Sequence, residues 1–393
     1  MDLDWILNHL GEERRQYFGA VAPPVLQSSI FTFPTVAAMR EAALHEMDAP
    51  LYTRGSNPTV QILRRKLAAL EGAEDSLVFA SGAAAIAAGV IACTGAGDHV
   101  VCVQKPYGWT RALLADLLAR FGVSHSFVDA ADTAQVEAAL RPQTRLIVLE
   151  SPNSLTYELQ DLEAIAALAR PRGILTLCDN SHASPLNQSP LALGIDLVAH
   201  SATKYIGGHS DVVAGALCGS RALIERVFRG PFMTLGAVPG PHDAALLLRG
   251  LRTLKLRMQR VAQTTPAVAA FLAAHPRVAR VWYPHAPDHP QRALVEKQLR
   301  ASSGLVSFAL KNADGAAIER FCNALRRFLL AVSWGGHESL VCPLAAFLPA
   351  GAPLVQRSGR APPQLIRLSI GLEDSDVLIA DLDQALRATE APA

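Results

Sequence analysis

An α/β fold built on a mostly parallel sheet is the architecture this sequence predicts. Three observations carry it. Short apolar, β-rich runs alternate with helical segments between Leu77 and His200. Those runs are continuous apolar strings rather than alternating ones, the pattern of strands buried on both faces. Polar residues gather just past them, at Ser81, Tyr107, Glu150, Asp179 and Ser201–Lys204, and in such sheets ligands bind at the carboxyl ends of the strands. With 393 residues, 50% hydrophobic and 18% charged, the chain can bury a large core and is expected to form two domains.

The elements follow in order. Residues 1–55 are broken by Pro23-Pro24, Phe33-Pro34 and Ala49-Pro50 and read as an irregular arm with one helix over 36–46. A helix over 60–70 stops at Glu71-Gly72, a C-cap signal. Strands are then expected at 77–79, 99–103, 123–128, 146–149, 174–178 and 197–200. Helices are expected at 83–93, 110–121, 133–140 and 162–169. A second domain, 246–393, opens on a basic amphipathic helix over 246–260, whose charges read as a solvated face. Strands at 278–283, 305–310, 329–333 and 366–370 follow, and a helix over 376–388 comes last. The intervening 56–245 forms the expected ligand-binding domain.

Composition excludes several function classes. Thirty-six Lys and Arg balance 35 Asp and Glu for a net charge of +1, which gives no attraction to nucleic acid or an anionic membrane. The chain opens with Asp2, Asp4 and Trp5 rather than a secretory leader, and its apolar stretches are too short to span a bilayer. Six cysteines lie scattered in apolar strings without a CxxC pair, so buried reduced thiols, no metal site and a cytoplasmic location are expected.

The chemistry concentrates in Ser201-Ala202-Thr203-Lys204-Tyr205 and the following Gly207-Gly208. A lysine just past a buried strand is desolvated, which lowers its pKa and frees the amine to attack an aldehyde. The hydroxyls of Ser201 and Thr203 could donate to a phosphate. Asp179 ends an apolar strand and suits a cationic ring nitrogen. Ser81-Gly82 lies between strand and helix, where free amides favour an anion. Tyr107 could stack on a planar ring, Arg54 could take a phosphate, and Arg367 could clamp a carboxylate. Read singly, each has a bland counterpart: a surface lysine, a helix cap, a rim tyrosine, a loop charge, a surface ion pair. Together they form one constellation of amine, ring partner, stacking ring, phosphate cradle and carboxylate clamp.

That constellation resembles the Cys/Met-metabolism family of pyridoxal-phosphate enzymes, which holds cystathionine synthases and lyases, methionine γ-lyases and sulfhydrylases. The matching residues run through Tyr52-Thr53-Arg54, Asn57-Pro58, Ser81-Gly82, Tyr107-Gly108, Glu150-Ser151-Pro152, Asp179-Asn180, His200 to Asp211, Ser333 to Leu340 and Arg367 to Asp374. The resemblance implies a type I aminotransferase-like fold with a mostly parallel seven-stranded sheet and a smaller α/β C-terminal domain. It also implies a homotetramer in which the arm reaches a neighbouring subunit. Lys204 would carry the cofactor as a Schiff base and shuttle protons, with Tyr107 stacked on the ring and Asp179 on its nitrogen. Ser81, Gly82, Ala83, Ser201 and Thr203 would hold the phosphate, joined by Tyr52 and Arg54 of a neighbour, and Ser154 would also touch the cofactor. Arg367 and Ser333, with Trp334, Tyr52 and Trp109, would bind the amino-acid substrate.

Departures from the family pattern steer the reaction. Ala83, Ser154-Leu155 and Trp334 look like bacterial cystathionine β-lyase, and Val332 stands where γ-synthases and cystathionine γ-lyases carry Glu. His182 and Trp109 are atypical and are expected at the side-chain end of the pocket. The first expectation is therefore β-elimination from cystathionine or a related cysteine thioether, giving a thiol, ammonia and pyruvate. The alternative is γ-elimination or γ-replacement, and a third reading is a non-catalytic, cofactor-binding regulator.

Overall fold

The computed structural model describes residues 1–349, 351–355 and 359–388. Seven strands form the larger sheet: β1 (Asp75–Phe79), β2 (His99–Val103), β3 (Ser124–Val128), β4 (Thr144–Glu150), β5 (Leu175–Asp179), β6 (Leu197–Ser201) and β7 (Gly215–Gly219). Their spatial order is β1-β7-β6-β5-β4-β2-β3. Neighbours from β6 to β3 pair parallel, while β7 runs antiparallel to both β1 and β6. The strands β2 and β4 to β6 are apolar strings such as Leu146–Leu149 and Leu197–Ala199, nearly all under 3% exposed, as a doubly covered sheet requires.

Sequence reasoning did not anticipate β7. Its apolar core is only three residues, bracketed by glycines that weaken a strand signal. Close approach explains both glycines. A Cβ on Gly215 would lie 2.2 Å from the Ser81 carbonyl oxygen, and one on Gly219 would lie 2.8 Å from that of Asp196. The antiparallel strand thereby presses against the turn that opens the helix Gly82–Cys93.

Helix boundaries follow local chemistry. The helix Pro58–Glu71 starts with the Asn57 side chain accepting from the Thr59 amide at 2.9 Å and ends on Gly72 at φ 71°, as its C-cap signal implied. The expected helix over 110–121 is three joined pieces: Gly108–Ala112, a wide turn Leu113–Leu117 and a tight turn Leu118–Phe121. A further helix, Leu3–Asn8, lies in the arm, capped by Asp2.

The smaller sheet holds β8 (Val278–Trp282), β9 (Leu305–Leu310), β10 (Leu329–Leu330), β11 (Leu340–Pro343) and β12 (Ile366–Ser369) in the order β10-β11-β12-β9-β8. The strand expected over 329–333 ends at Leu330. Beyond it Ser333 (φ 80°) and Gly335 (φ 84°) turn the chain back against the larger sheet, and a Cβ on Gly335 would lie 2.8 Å from the Tyr205 amide nitrogen. Sequence reasoning did not anticipate β11, whose short apolar run Leu340-Val341-Cys342 closes on Pro343, a residue that weakens a strand signal.

The basic helix is much longer than expected, Pro241–Ala274, and the division anticipated at 245/246 falls inside it. Its face is not wholly solvated. Arg257 is buried and donates to the carbonyls of Tyr205 (2.7 Å) and Gly250 (2.9 Å), with burial pulling its pKa down to about 10. Gly250 packs so tightly on the loop after Tyr205 that a Cβ would sit 2.3 Å from the Gly207 oxygen. The loop carrying Lys204 is thus braced from below. All six cysteines are free and buried. No helix among the described residues is long and apolar enough to cross a membrane.

Candidate active site

A cavity of about 180 Å³ opens at the carboxyl ends of β4, β5 and β6. Ser81, Gly82, Ala83, Tyr107, Ser154, Asp179, Ser201, Thr203, Lys204 and Trp334 line it, together with Glu150, Ser181 and His182. Residues 253 positions apart in the chain, from Ser81 to Trp334, therefore meet in one cleft.

Lys204 is no surface lysine. Burial foremost, then the Arg367 guanidinium, pull its pKa down to about 8, against a smaller upward pull from Asp179. Its amine donates to the Ser333 hydroxyl at 2.5 Å and lies 4.4 Å from the centre of the Trp334 ring. Arg367 reaches the same tryptophan from 4.9 Å. It is 7% exposed, makes no ion pair among the described residues, and donates instead to the carbonyls of Ser333 (3.1 Å) and Ser154 (3.3 Å). That buried guanidinium thus has carbonyls and the Trp334 ring beside it but no carboxylate among the described residues, although such a charge is normally paired.

Asp179 accepts from both the amide (2.9 Å) and the hydroxyl (2.5 Å) of Ser181. Burial nevertheless raises its pKa. The Ser181 hydroxyl in turn accepts from the Ser201 amide at 2.6 Å, tying β5 to the start of the lysine loop. Sequence reasoning missed Ser181. Its signal was a hydroxyl two residues after the strand-end carboxylate. Behind Asp179, His200 and Asn180 bond the buried Glu71, which fixes the strand ends.

The cleft wall beside Ser81 is built by close approach. Ser81 caps the helix Gly82–Cys93, with its hydroxyl accepting from the Ala84 amide at 3.1 Å and the Gly82 and Ala83 amides at the first turn. A Cβ on Gly82 would lie 2.7 Å from the Ser201 Cα. Only glycine admits that approach, which brings a helix N-terminus against the hydroxyl-bearing loop Ser201–Thr203.

Three anticipated residues lie apart from the cleft within one chain. Tyr52 and Arg54 are exposed on the arm, stacked on each other at 5.3 Å. Trp109 is 68% exposed. His182 does line the cavity, but faces the protein interior. Its Nε2 bonds the Ser303 hydroxyl at 3.0 Å, its ring packs on Tyr157, and Nδ1 has no hydrogen-bond partner among the described residues. The Trp334 Nε1 is likewise buried without one among the described residues.

The family model described as Cys/Met metabolism PLP-dependent enzyme matches residues 5–387. The chain belongs to that family. It is 41% identical over 383 residues to "L-methionine gamma-lyase" of Pseudomonas putida, covering 97% of this chain and 96% of that one. It is 41% identical to "Cystathionine gamma-synthase" of Mycobacterium bovis over 96% and 95% of the two chains, and 40% identical to "Cystathionine gamma-lyase" of Mus musculus over 97% and 94%. The crystal structure of metB from Corynebacterium glutamicum superposes with a TM-score of 0.92 at 34% identity, covering 99% of both chains. The expected type I fold is therefore present, and the chain is a pyridoxal-phosphate-dependent enzyme of the trans-sulfuration family.

The residues present fit that cofactor. The glycine-lined cradle suits its phosphate, the buried Asp179 suits a cationic ring nitrogen, and the desolvated Lys204 amine suits its aldehyde. The relatives named above carry γ-type names, whereas the sequence put β-elimination first.

Proposed function

We propose that the protein catalyses γ-elimination or γ-replacement on a sulfur amino acid or an activated homoserine. The observation that carries this reading is the full-length similarity, at about two-fifths identity, to relatives whose names place their chemistry at Cγ.

The chain's own residues supply what such chemistry requires. Bound pyridoxal phosphate provides an electron sink for the pair left by a departing Cα proton. Gly82, Ala83, Ser201 and Thr203 hold its phosphate, with Ser81 capping the same helix, while Tyr107 covers the ring and Asp179 keeps the ring nitrogen cationic. Ser154 lines the ring's flank. Arg367 exchanges the Ser333 and Ser154 carbonyls for the substrate carboxylate. γ-Chemistry moves protons at Cα and again at Cβ, so it needs a group that both accepts and donates near neutrality. Lys204, with a pKa of about 8, meets that requirement. Ser333 orients its amine. Tyr107 lines the cleft, is 41% exposed and offers its hydroxyl to a leaving group.

Tyr52 and Arg54 stand outside the cleft of their own chain, which supports a subunit arrangement in which they complete a neighbour's site. We extend the proposal to a homotetramer of such paired sites, with Tyr52 and Trp109 at the substrate entrance and a cytoplasmic location.

One observation favours β-elimination. The Trp334 ring lies against both the Lys204 amine and the Arg367 guanidinium and narrows the space in which a longer side chain could fold. A single incubation separates the two. From L-cystathionine, γ-elimination yields 2-oxobutyrate and cysteine, whereas β-elimination yields pyruvate and homocysteine. Dominant 2-oxobutyrate upholds the proposal; dominant pyruvate overturns it in favour of the β reading. If neither forms, γ-replacement on homoserine esters with a thiol decides, and failure there also refutes the γ reading.

A further inference from the structure

Glu150 is a buried carboxyl that lines the cleft. It ends β4 directly beside Asp179, to which it is register-paired across β4 and β5. No cation lies within ion-pair distance of it among the described residues. Its Oε2 accepts from the Tyr107 amide at 2.5 Å, and its Oε1 accepts from the Ser154 amide at 3.0 Å. Those two amides belong to different loops, one leading into the helix Gly108–Ala112 and one following the Ser151-Pro152 turn.

The connections continue on both sides. The Ser154 carbonyl accepts from Arg367 Nη1, Arg367 Nη2 donates to the Ser333 carbonyl, and the Ser333 hydroxyl accepts from Lys204. A continuous chain of hydrogen bonds therefore runs Tyr107, Glu150, Ser154, Arg367, Ser333, Lys204. Glu150 is its only member that bonds two main-chain donors with one rigid group.

We propose that Glu150 is a positioning residue that fixes the ring-covering Tyr107 and the carboxylate-binding Arg367 relative to each other, so that cofactor and substrate are held by one framework. This rests on the roles given above to Tyr107 and Arg367. The geometry demands a carboxylate. Two amides converge on two oxygens, so an amide side chain would turn an N–H toward one donor, and a carboxyl one methylene shorter could not span both loops. Burial and the neighbouring Asp179 charge raise the Glu150 pKa, and a cationic ring against Asp179 offsets that repulsion. Cofactor binding therefore strengthens both Glu150 bonds and, through Ser154, sets Arg367 before the amino acid arrives.

The test compares Glu150→Gln and Glu150→Asp with Tyr107→Ala and Arg367→Leu in the full-length holoenzyme. Cofactor dissociation constant, amino-acid KM and kcat, visible circular dichroism of the bound cofactor and thermal midpoint are measured for each. Tyr107→Ala should weaken the cofactor chiefly, and Arg367→Leu should raise KM chiefly. Glu150→Gln should do both, each by at least about tenfold, and should alter the cofactor dichroism, with Glu150→Asp doing the same if the Gln variant fails to fold. A lowered thermal midpoint with unchanged cofactor affinity, KM and dichroism reduces Glu150 to a structural residue and overturns the proposal. Unchanged constants in Tyr107→Ala and Arg367→Leu would instead remove the roles beneath it, a distinguishable failure.

Discussion

The depressed pKa of Lys204 makes a quantitative prediction about how the apo-enzyme captures its cofactor. Only the neutral amine attacks an aldehyde. With a pKa of about 8, roughly one lysine in eleven is neutral at pH 7, against about one in 3,000 for an unshifted lysine near 10.5, a gain of about 300-fold. The second-order rate of imine formation with pyridoxal phosphate, followed by stopped-flow absorbance, should rise about tenfold between pH 7 and pH 9 and then level off. The directions of two substitutions follow from the charges around the amine. Removing the cation in Arg367→Leu should move the midpoint up, and removing the anion in Asp179→Asn should move it down. A rate that climbs tenfold per pH unit through pH 10 would mean an unperturbed, solvated lysine. A rate flat from pH 7 upward would mean that the amine is not the titrating group. Either result refutes the reasoning from burial.

Further expectations concern binding and stability. Gly82→Ala places a Cβ 2.7 Å from the Ser201 Cα, so equilibrium dialysis should show cofactor affinity reduced at least about tenfold. Gly250→Ala drives a Cβ to 2.3 Å from the Gly207 oxygen and should cost about 1–3 kcal/mol in denaturant unfolding, the range for overpacking. Arg367→Leu should lower kcat/KM by about 2–5 kcal/mol, or roughly 30- to 5,000-fold, because the buried substrate carboxylate loses its partner cation. His182 is held neutral by burial, with its pKa pulled down to about 3. Its contribution is intact above the unfolded value near 6.5 and is lost as pH falls toward 3, amounting to roughly 2 kcal/mol at pH 5. His182→Phe should therefore shrink the stability difference between pH 7 and pH 5, and an unchanged difference would contradict its neutral burial.

The residues that sequence made legible share a property: their chemistry is tied to where strands end. Lys204, Asp179, Ser81-Gly82 and Tyr107 each follow an apolar run, and all line the cleft. The β2 and β9 boundaries, His99–Val103 and Leu305–Leu310, were readable because turn formers or polar residues flank unbroken apolar strings. What stayed hidden depends on tertiary contact. The glycine-framed β7 looks like a loop until Gly215 is seen against Ser81. Arg257 carries the same letters as its exposed neighbours, and only packing shows it holding the Tyr205 carbonyl. Glu150 at a strand end and Ser181 two residues past Asp179 are visible as polar residues, but their bonds to main-chain amides are not. The balance between β and γ chemistry was the least legible, since it turns on pocket contacts such as Trp334 rather than on the motifs that define the site.

The central claim is that Lys204 carries the cofactor. Borohydride reduction of the holoenzyme, proteolysis and mass spectrometry of the pyridoxyl-bearing peptide test it most directly. The reduced adduct should map to Lys204 in the peptide spanning Ser201 to Tyr205 and be absent from Lys204→Ala. Stoichiometric label on any other lysine, or none in protein saturated with cofactor, would contradict the account.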